Sequence, residues 1–149
     1  MYTYIFMENI SLDVTIDEII QELDEKNLLY LTSGKIKELN NNALQKLYLS
    51  RDDLLHYHKI LKEYRHVDEV DEIKIGGYIR WFNLNKIENL KLTSGGFIVD
   101  MQNWNGDILI FCKNKYNKRF SLMLNNCILF QKISLQEKIL IKIIDYASK

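Results

Sequence analysis

The order of apolar and polar positions changes character once along the chain, near residue 73. Before that point apolar residues recur at helical spacing; after it they alternate. Ile16, Ile19, Ile20 and Leu23 share one helical face behind the capping box Thr15-Ile-Asp-Glu18, with Val14 and Ile19 placed as a hydrophobic staple. This predicts a helix near 16–26. Met1 to Met7 (MYTYIFM) suits a short edge strand. Thr32-Ser-Gly34 breaks the pattern and precedes a second helix through Lys37 to Leu39. Asn40-Asn-Asn42 interrupts that helix, and Asn42 is placed to cap a continuation over Leu44, Leu47 and Tyr48. Ser50-Arg-Asp-Asp53 opens the clearest helix of this half, ending near Arg65, with Leu54, Tyr57, Ile60, Leu61 and Tyr64 on one side. Short connections between these helices predict an antiparallel pair.

From Ile73 onward Ile73, Ile75, Tyr78 or Ile79, and Trp81 alternate with smaller or charged residues. Two glycine pairs, Gly76-Gly77 and Gly95-Gly96, each lead into such a run, which predicts a bulge or a sharp bend. Asn83 to Thr93 is a longer connection. Strands follow at Phe97–Gln102, Asp107–Lys113, Lys118–Leu124 and Cys127–Lys132. Asn103-Trp-Asn-Gly106, Asn114-Lys-Tyr-Asn117 and Asn125-Asn126 turn the chain between them. Ser134-Leu-Gln-Glu137 is a second capping box. Behind it Leu135, Ile139, Leu140, Ile143, Ile144 and Ala147 form the apolar stripe of a final helix. That stripe is expected to close one side of the β-structure or to pack on the N-terminal helices.

Five short strands with a long first connection and tight later ones resemble the SH3-like small barrels over residues 73–132. The resemblance implies that the long first loop and the next hairpin loop frame an aromatic binding face. Trp81, Phe82, Trp104 and Tyr116 are the residues here that would supply it. The Asn-Asn hairpin before the last strand departs from that family, which has a short 3₁₀ turn there. Its proline-peptide motif is absent, so the resemblance carries architecture and no ligand. An OB-fold needs a helix between its third and fourth strands, and the turn at 114–117 leaves no room for one. The expected fold is therefore α+β. An acidic helical extension over 1–72 precedes a five-stranded antiparallel SH3-like barrel or bent meander over 73–149, closed by the C-terminal helix; the two parts could also form one compact unit.

Length and composition fit this picture. At 149 residues and 47% hydrophobic the chain has a core that needs no disulfide or metal staple. Met1 to Asn9 lacks the basic start and apolar run of a cleavable signal, and no window reaches the length of a membrane span. Proline is missing while Asn, Ile, Lys and Tyr abound, a codon bias like that of AT-rich large DNA viruses. An intracellular, reducing location is expected, in a virion or infected cell if the source is viral. Net charge is zero, but residues 1–72 carry 8 Lys and Arg against 15 Asp and Glu, and residues 73–149 carry 12 against 5. That division suits either an anionic partner for the basic half or attraction between the halves.

Candidate chemistry is sparse. His56 and His58 are two residues apart, which on a helix places them on different sides. With His66 they read as ordinary surface or boundary residues rather than metal ligands. Asp68-Glu-Val-Asp-Glu72 lacks the glycine and ligand alternation of a calcium loop and reads as a solvated linker. Cys112 and Cys127 sit in apolar runs and read as buried free thiols. The glycine pairs precede strands, so they do not suit a phosphate loop. No nucleophile elbow, paired carboxylates or zinc pattern is present, so a catalytic role, a cofactor and a metal site are not expected. The primary expectation is a non-catalytic protein-interaction or structural module, binding a protein partner or a second copy through Trp104, Tyr116, Trp81 and Phe82. The alternative is nucleic-acid binding. It rests on Lys113, Lys115, Lys118 and Arg119, which cluster with Tyr116 on one hairpin, and on Arg80, Lys74, Lys86 and Lys91 as extensions of that patch. Hairpin tips also use lysine to prevent edge-to-edge association, which explains the same charges without a ligand.

Overall fold

The computed structural model describes residues 32–147 and, ahead of them, Glu18 and Gln21 alone, both helical. The strand expected at 1–7 and the rest of the helix expected near 16–26 lie outside the described residues. No helix among the described residues is long and apolar enough to cross a membrane. The chain divides into two compact units, residues 36–133 and residues 1–35 with 134–149.

The larger unit begins in helix α1 (Ser33–Gln45), whose first turn belongs to the other unit. The asparagine run does not interrupt α1 as expected, because Asn40 is buried and uses its carboxamide outside the helix. Its Nδ2 donates to Tyr64 O at 2.8 Å, and its Oδ1 accepts from His66 N at 2.8 Å. Tyr48, at φ 52°, reverses the chain into α2 (Arg51–Ile60), capped by the Ser50 hydroxyl, which accepts from Asp53 N. This helix stops earlier than its apolar stripe suggests. After a 3₁₀ turn at Leu61–Glu63 the chain extends into β1 (Tyr64–Val67), so Tyr64 is a strand residue. The Asn40 side chain bonds that backbone as a neighbouring strand would, covering part of an edge that has no strand partner among the described residues.

The remaining strands are β2 (Tyr78–Asn83), β3 (Gly96–Trp104), β4 (Asp107–Lys113), β5 (Arg119–Met123) and β6 (Cys127–Lys132). They form one antiparallel sheet in the order β1-β6-β2-β3-β4-β5. The closed five-stranded barrel is thus replaced by an open six-stranded sheet. The extra strand, β1, comes from the stretch read as the end of a helix. Leu124–Asn126 form a 3₁₀ turn rather than a two-residue hairpin, because Leu124 is buried and Asn125 N donates to Asp107 Oδ1.

Both faces of the sheet carry a core. On one face Phe82 and Phe130 pack with Leu44, Leu47 and Leu61 from the helical segment, and Tyr57 meets Phe82 edge-on at 5.0 Å. On the other, Val67, Ile79, Leu129, Ile98, Ile110 and Cys112 gather residues from every strand but β5, and Phe120 and Leu122 of β5 pack against them. That face is concave: the ring of Trp81 on β2 lies 5.4 Å from that of Phe120 on β5, although β3 and β4 separate these strands in the sheet.

The glycine pairs produce this curvature. Gly76 turns the chain at φ +89°, which delays β2 until Tyr78 and leaves Ile75 exposed. A Cβ on Gly77 would collide with the Gln131 carboxamide, which pairs with Lys74 N and O at 3.0 and 2.9 Å. A Cβ on Gly96 would stand 2.7 Å from the Phe120 ring. A shift in register between Ile98 and Asp100 bends β3 further.

In the smaller unit, α3 (Leu135–Ala147) starts with the expected capping box. Ser134 Oγ accepts from Glu137 N at 3.1 Å, and Glu137 Oε1 accepts from Ser134 N at 3.0 Å. Of its predicted stripe, Leu140 is buried, whereas Leu135 and Ile143 are exposed.

Candidate functional site

Three surfaces of the larger unit bring exposed apolar, cationic or cavity-lining side chains together. The first follows β3. Phe97, Val99 and Trp104 are 41%, 38% and 57% exposed along this one strand. Alternation from the buried Ile110 and Cys112 puts Leu109 and Phe111 on the face away from the concave core, half-buried. Met123, paired with Leu109, joins them there. Trp104 stands at the end of this face. Asn105 and Gly106, both at positive φ, close a two-residue turn whose strands meet at Trp104 and Asp107. The indole is therefore held on rigid backbone.

The second surface is the β4–β5 hairpin. The Asn114 carboxamide builds its tip, its Oδ1 accepting from Tyr116 N at 2.9 Å and Lys118 N at 3.0 Å, while Asn117 takes φ 66°. Tyr116 is 77% exposed, and Lys115 Nζ lies 5.1 Å from its ring centroid. Lys113, Lys115, Lys118 and Arg119 are all exposed around it. Trp104 and Tyr116 do not form one aromatic face. They sit at opposite ends of the seven-residue β4, roughly 20 Å apart at ~3.3 Å per residue.

The third surface is a cavity of about 470 Å³ between β2, the connection 84–93 and β5. Trp81, Leu92 and Leu122 supply its apolar wall, and the exposed Lys86, Asn89, Lys91 and Ser121 its rim. The connection is two short 3₁₀ turns broken at Lys86 (φ −115°, ψ 51°). Thr93 ties it back to β2: its Oγ1 accepts from Trp81 N, its N donates to Trp81 O, and its carbonyl accepts from Arg80 Nε at 2.7 Å. β5 is an edge strand, so its outer backbone faces this region without a ladder partner among the described residues.

The other residues singled out in the sequence are placed as follows. Phe82 is fully buried in the helix-side core. It cannot meet a partner, because the helices cover the face of β2 on which it stands. Trp81 is half-buried and belongs to the cavity wall rather than to the exposed hairpin tips. Arg80 is bound to the Thr93 carbonyl and lies beside Tyr64, so it does not extend the hairpin patch. His58 Nε2 is 2.9 Å from Asn41 Oδ1, and the His66 ring packs against Phe130. Burial holds His66 below the usual imidazole pKa. Cys112 and Cys127 are free, and burial pushes both thiols up to about 12. Among the described residues no cluster of His, Cys, Asp or Glu could hold a metal ion.

Sequence reasoning missed the cavity. Its lining comes from β2, an irregular connection and the far edge strand, which only the curl of the sheet brings together. The available signals were the glycine pairs, which predict a bend, and Lys86 and Lys91 in a connection longer than a turn requires. Comparison with protein-family models, with curated proteins and with solved structures finds no match.

Proposed function

We propose that the chain is a non-catalytic protein-interaction module whose partner, another protein or a second copy, docks on β3 around Trp104. The observation that carries this reading is the exposure of Phe97, Val99 and Trp104 along a single strand, beside the half-buried Leu109, Phe111 and Met123. Exposed apolar side chains set among polar ones mark interaction sites, and tryptophan is enriched among the residues that dominate binding energy. The resemblance to SH3-like barrels, proposed as architecture alone, has two supports: the long connection 84–93 and the 3₁₀ turn ahead of the last strand.

The test compares wild type with Trp104→Ala by sedimentation velocity and by affinity capture. The reading requires an oligomer or a stoichiometric partner that the substitution abolishes while the circular dichroism spectrum is kept. A monomer without a partner, or a complex indifferent to Trp104, contradicts it.

Nucleic-acid binding is the second reading, favoured by one observation: Tyr116 stands exposed at a rigid tip among four exposed cations. Exposed rings stack on unpaired bases, and cations contact phosphates. It requires that a single-stranded oligonucleotide bind at low salt, that affinity fall steeply as salt rises, and that the triple change of Lys115, Lys118 and Arg119 to Ala abolish binding. Binding that survives the triple change removes it.

A further inference from the structure

We infer that the cavity between β2, the connection 84–93 and β5 is a binding site for a nucleotide unit, a planar base bearing a phosphate. The site is independent of the β3 surface. At about 470 Å³ it lies within the range of small-molecule sites, roughly 300–1,000 Å³. Its chemistry is divided as such a ligand is divided. The indole of Trp81, flanked by Leu92 and Leu122, offers an apolar wall on which a ring can stack. Asn83 keeps its amide N–H groups available while its Oδ1 accepts from Asn85 N, and Asn89 adds a second carboxamide at the rim. Carboxamides present donor and acceptor together, which suits the edge of a base. Lys86 and Lys91 bring two ammonium groups, and among the described residues no acidic side chain lines the cavity to neutralise them. A ligand with only a carboxylate leaves the indole wall empty, and an apolar ligand leaves two lysines beside it unused.

The backbone holds this arrangement in place. Thr93 fixes the end of the connection through three hydrogen bonds, two to Trp81 and one to Arg80. The Trp81 ring is fixed against Phe120 at an interplanar angle of 31°. Cations on a connection otherwise serve only solubility; here both line a cavity that has an aromatic wall.

A nucleotide unit can come from two sources, a free mononucleotide or a residue of a single-stranded nucleic acid. In a Trp104→Phe protein, Trp81 is the only indole, so its fluorescence reports the cavity. Titration with 5′-mononucleotides should quench it saturably, with the matching nucleosides at least tenfold weaker. The double change of Lys86 and Lys91 to Ala should weaken mononucleotide binding tenfold or more. Leu122→Phe should do the same by crowding the apolar wall from β5 with no charge removed. A 5′-phosphorylated oligonucleotide that binds tenfold tighter than the mononucleotide assigns the site to a strand; equal or weaker binding assigns it to a free nucleotide. No change in Trp81 fluorescence at millimolar nucleotide, or quenching untouched by both the lysine and the Leu122 substitutions, overturns the inference.

Discussion

Trp81 and Phe120 meet across the concave face with ring centroids 5.4 Å apart, joining strands that two others separate in the sheet. The contact exists because Gly96 has no side chain where the Phe120 ring lies. In the Trp104→Phe background, Gly96→Ala should therefore displace Phe120, shift the Trp81 emission and destabilise the fold by about 1–3 kcal/mol through overpacking. Gly76→Ala, at φ +89° in open space, should cost about 1–2 kcal/mol from backbone strain alone and leave Trp81 emission unchanged. Urea denaturation with tryptophan fluorescence distinguishes the two.

Phe82 is a core residue despite standing next to Trp81 in a run that reads as one aromatic face. Phe82→Ala should cost about 3–5 kcal/mol in urea denaturation. A loss below about 1 kcal/mol would show that the helices do not cover this face of β2.

How much of this was legible in the sequence depends on the range of the interaction. The Asn105-Gly106 turn, the Ser50 cap and the Ser134-to-Glu137 box are local, and each is found where the residues place it. Tyr64 was misread because its apolar spacing continues the α2 stripe. What extends the chain there is pairing with β6, together with the Asn40 carboxamide, 24 residues earlier, bonding to the Tyr64 carbonyl. The cavity was missed for the same reason: the glycine pairs signal a bend, but not that the bend brings Trp81 of β2 against Phe120 of β5. Trp104 and the β4–β5 hairpin could be found because a turn residue's exposure follows from the turn itself.

Asn40 makes a test of that long-range bond. Asn40→Ala leaves Tyr64 O and His66 N without their side-chain partner, and β1 should loosen. A loss of about 2–4 kcal/mol is expected from two unsatisfied backbone groups. Amide exchange at His66 should accelerate more than exchange at Leu129 in β6, which lies between β1 and β2. Equal acceleration at both would indicate a global effect only.

His66 gives the stability a pH dependence of known sign. Burial lowers its folded-state pKa, opposed by Asp68 and aided by Lys46. The folded state thus prefers neutral imidazole. This contribution is complete above the unfolded value near 6.5 and is lost as pH falls toward the lower folded value. Glu72, whose carboxyl burial pushes up, contributes in the opposite sense on acidification, so the difference between wild type and His66→Gln isolates the imidazole. That difference should shrink between neutral pH and pH 5; a difference that grows as pH falls refutes it.

Both cysteine thiols, pushed up to about 12, are almost wholly protonated at pH 8. Alkylation of the native protein by iodoacetamide should be slower than that of the urea-unfolded chain by on the order of a thousandfold. Comparable rates would show that Cys127 is open to solvent.

The central claim, that a protein partner docks around Trp104, is tested most directly by placing a photo-cross-linking amino acid at position 104. The exposed Asp53 on α2 and Tyr116 at the far end of β4 serve as controls. Illumination in the native source should give a discrete protein adduct from position 104 and none from position 53. Adducts identical at 104 and 53, or a nucleic-acid adduct from 116 with no adduct from 104, would contradict it.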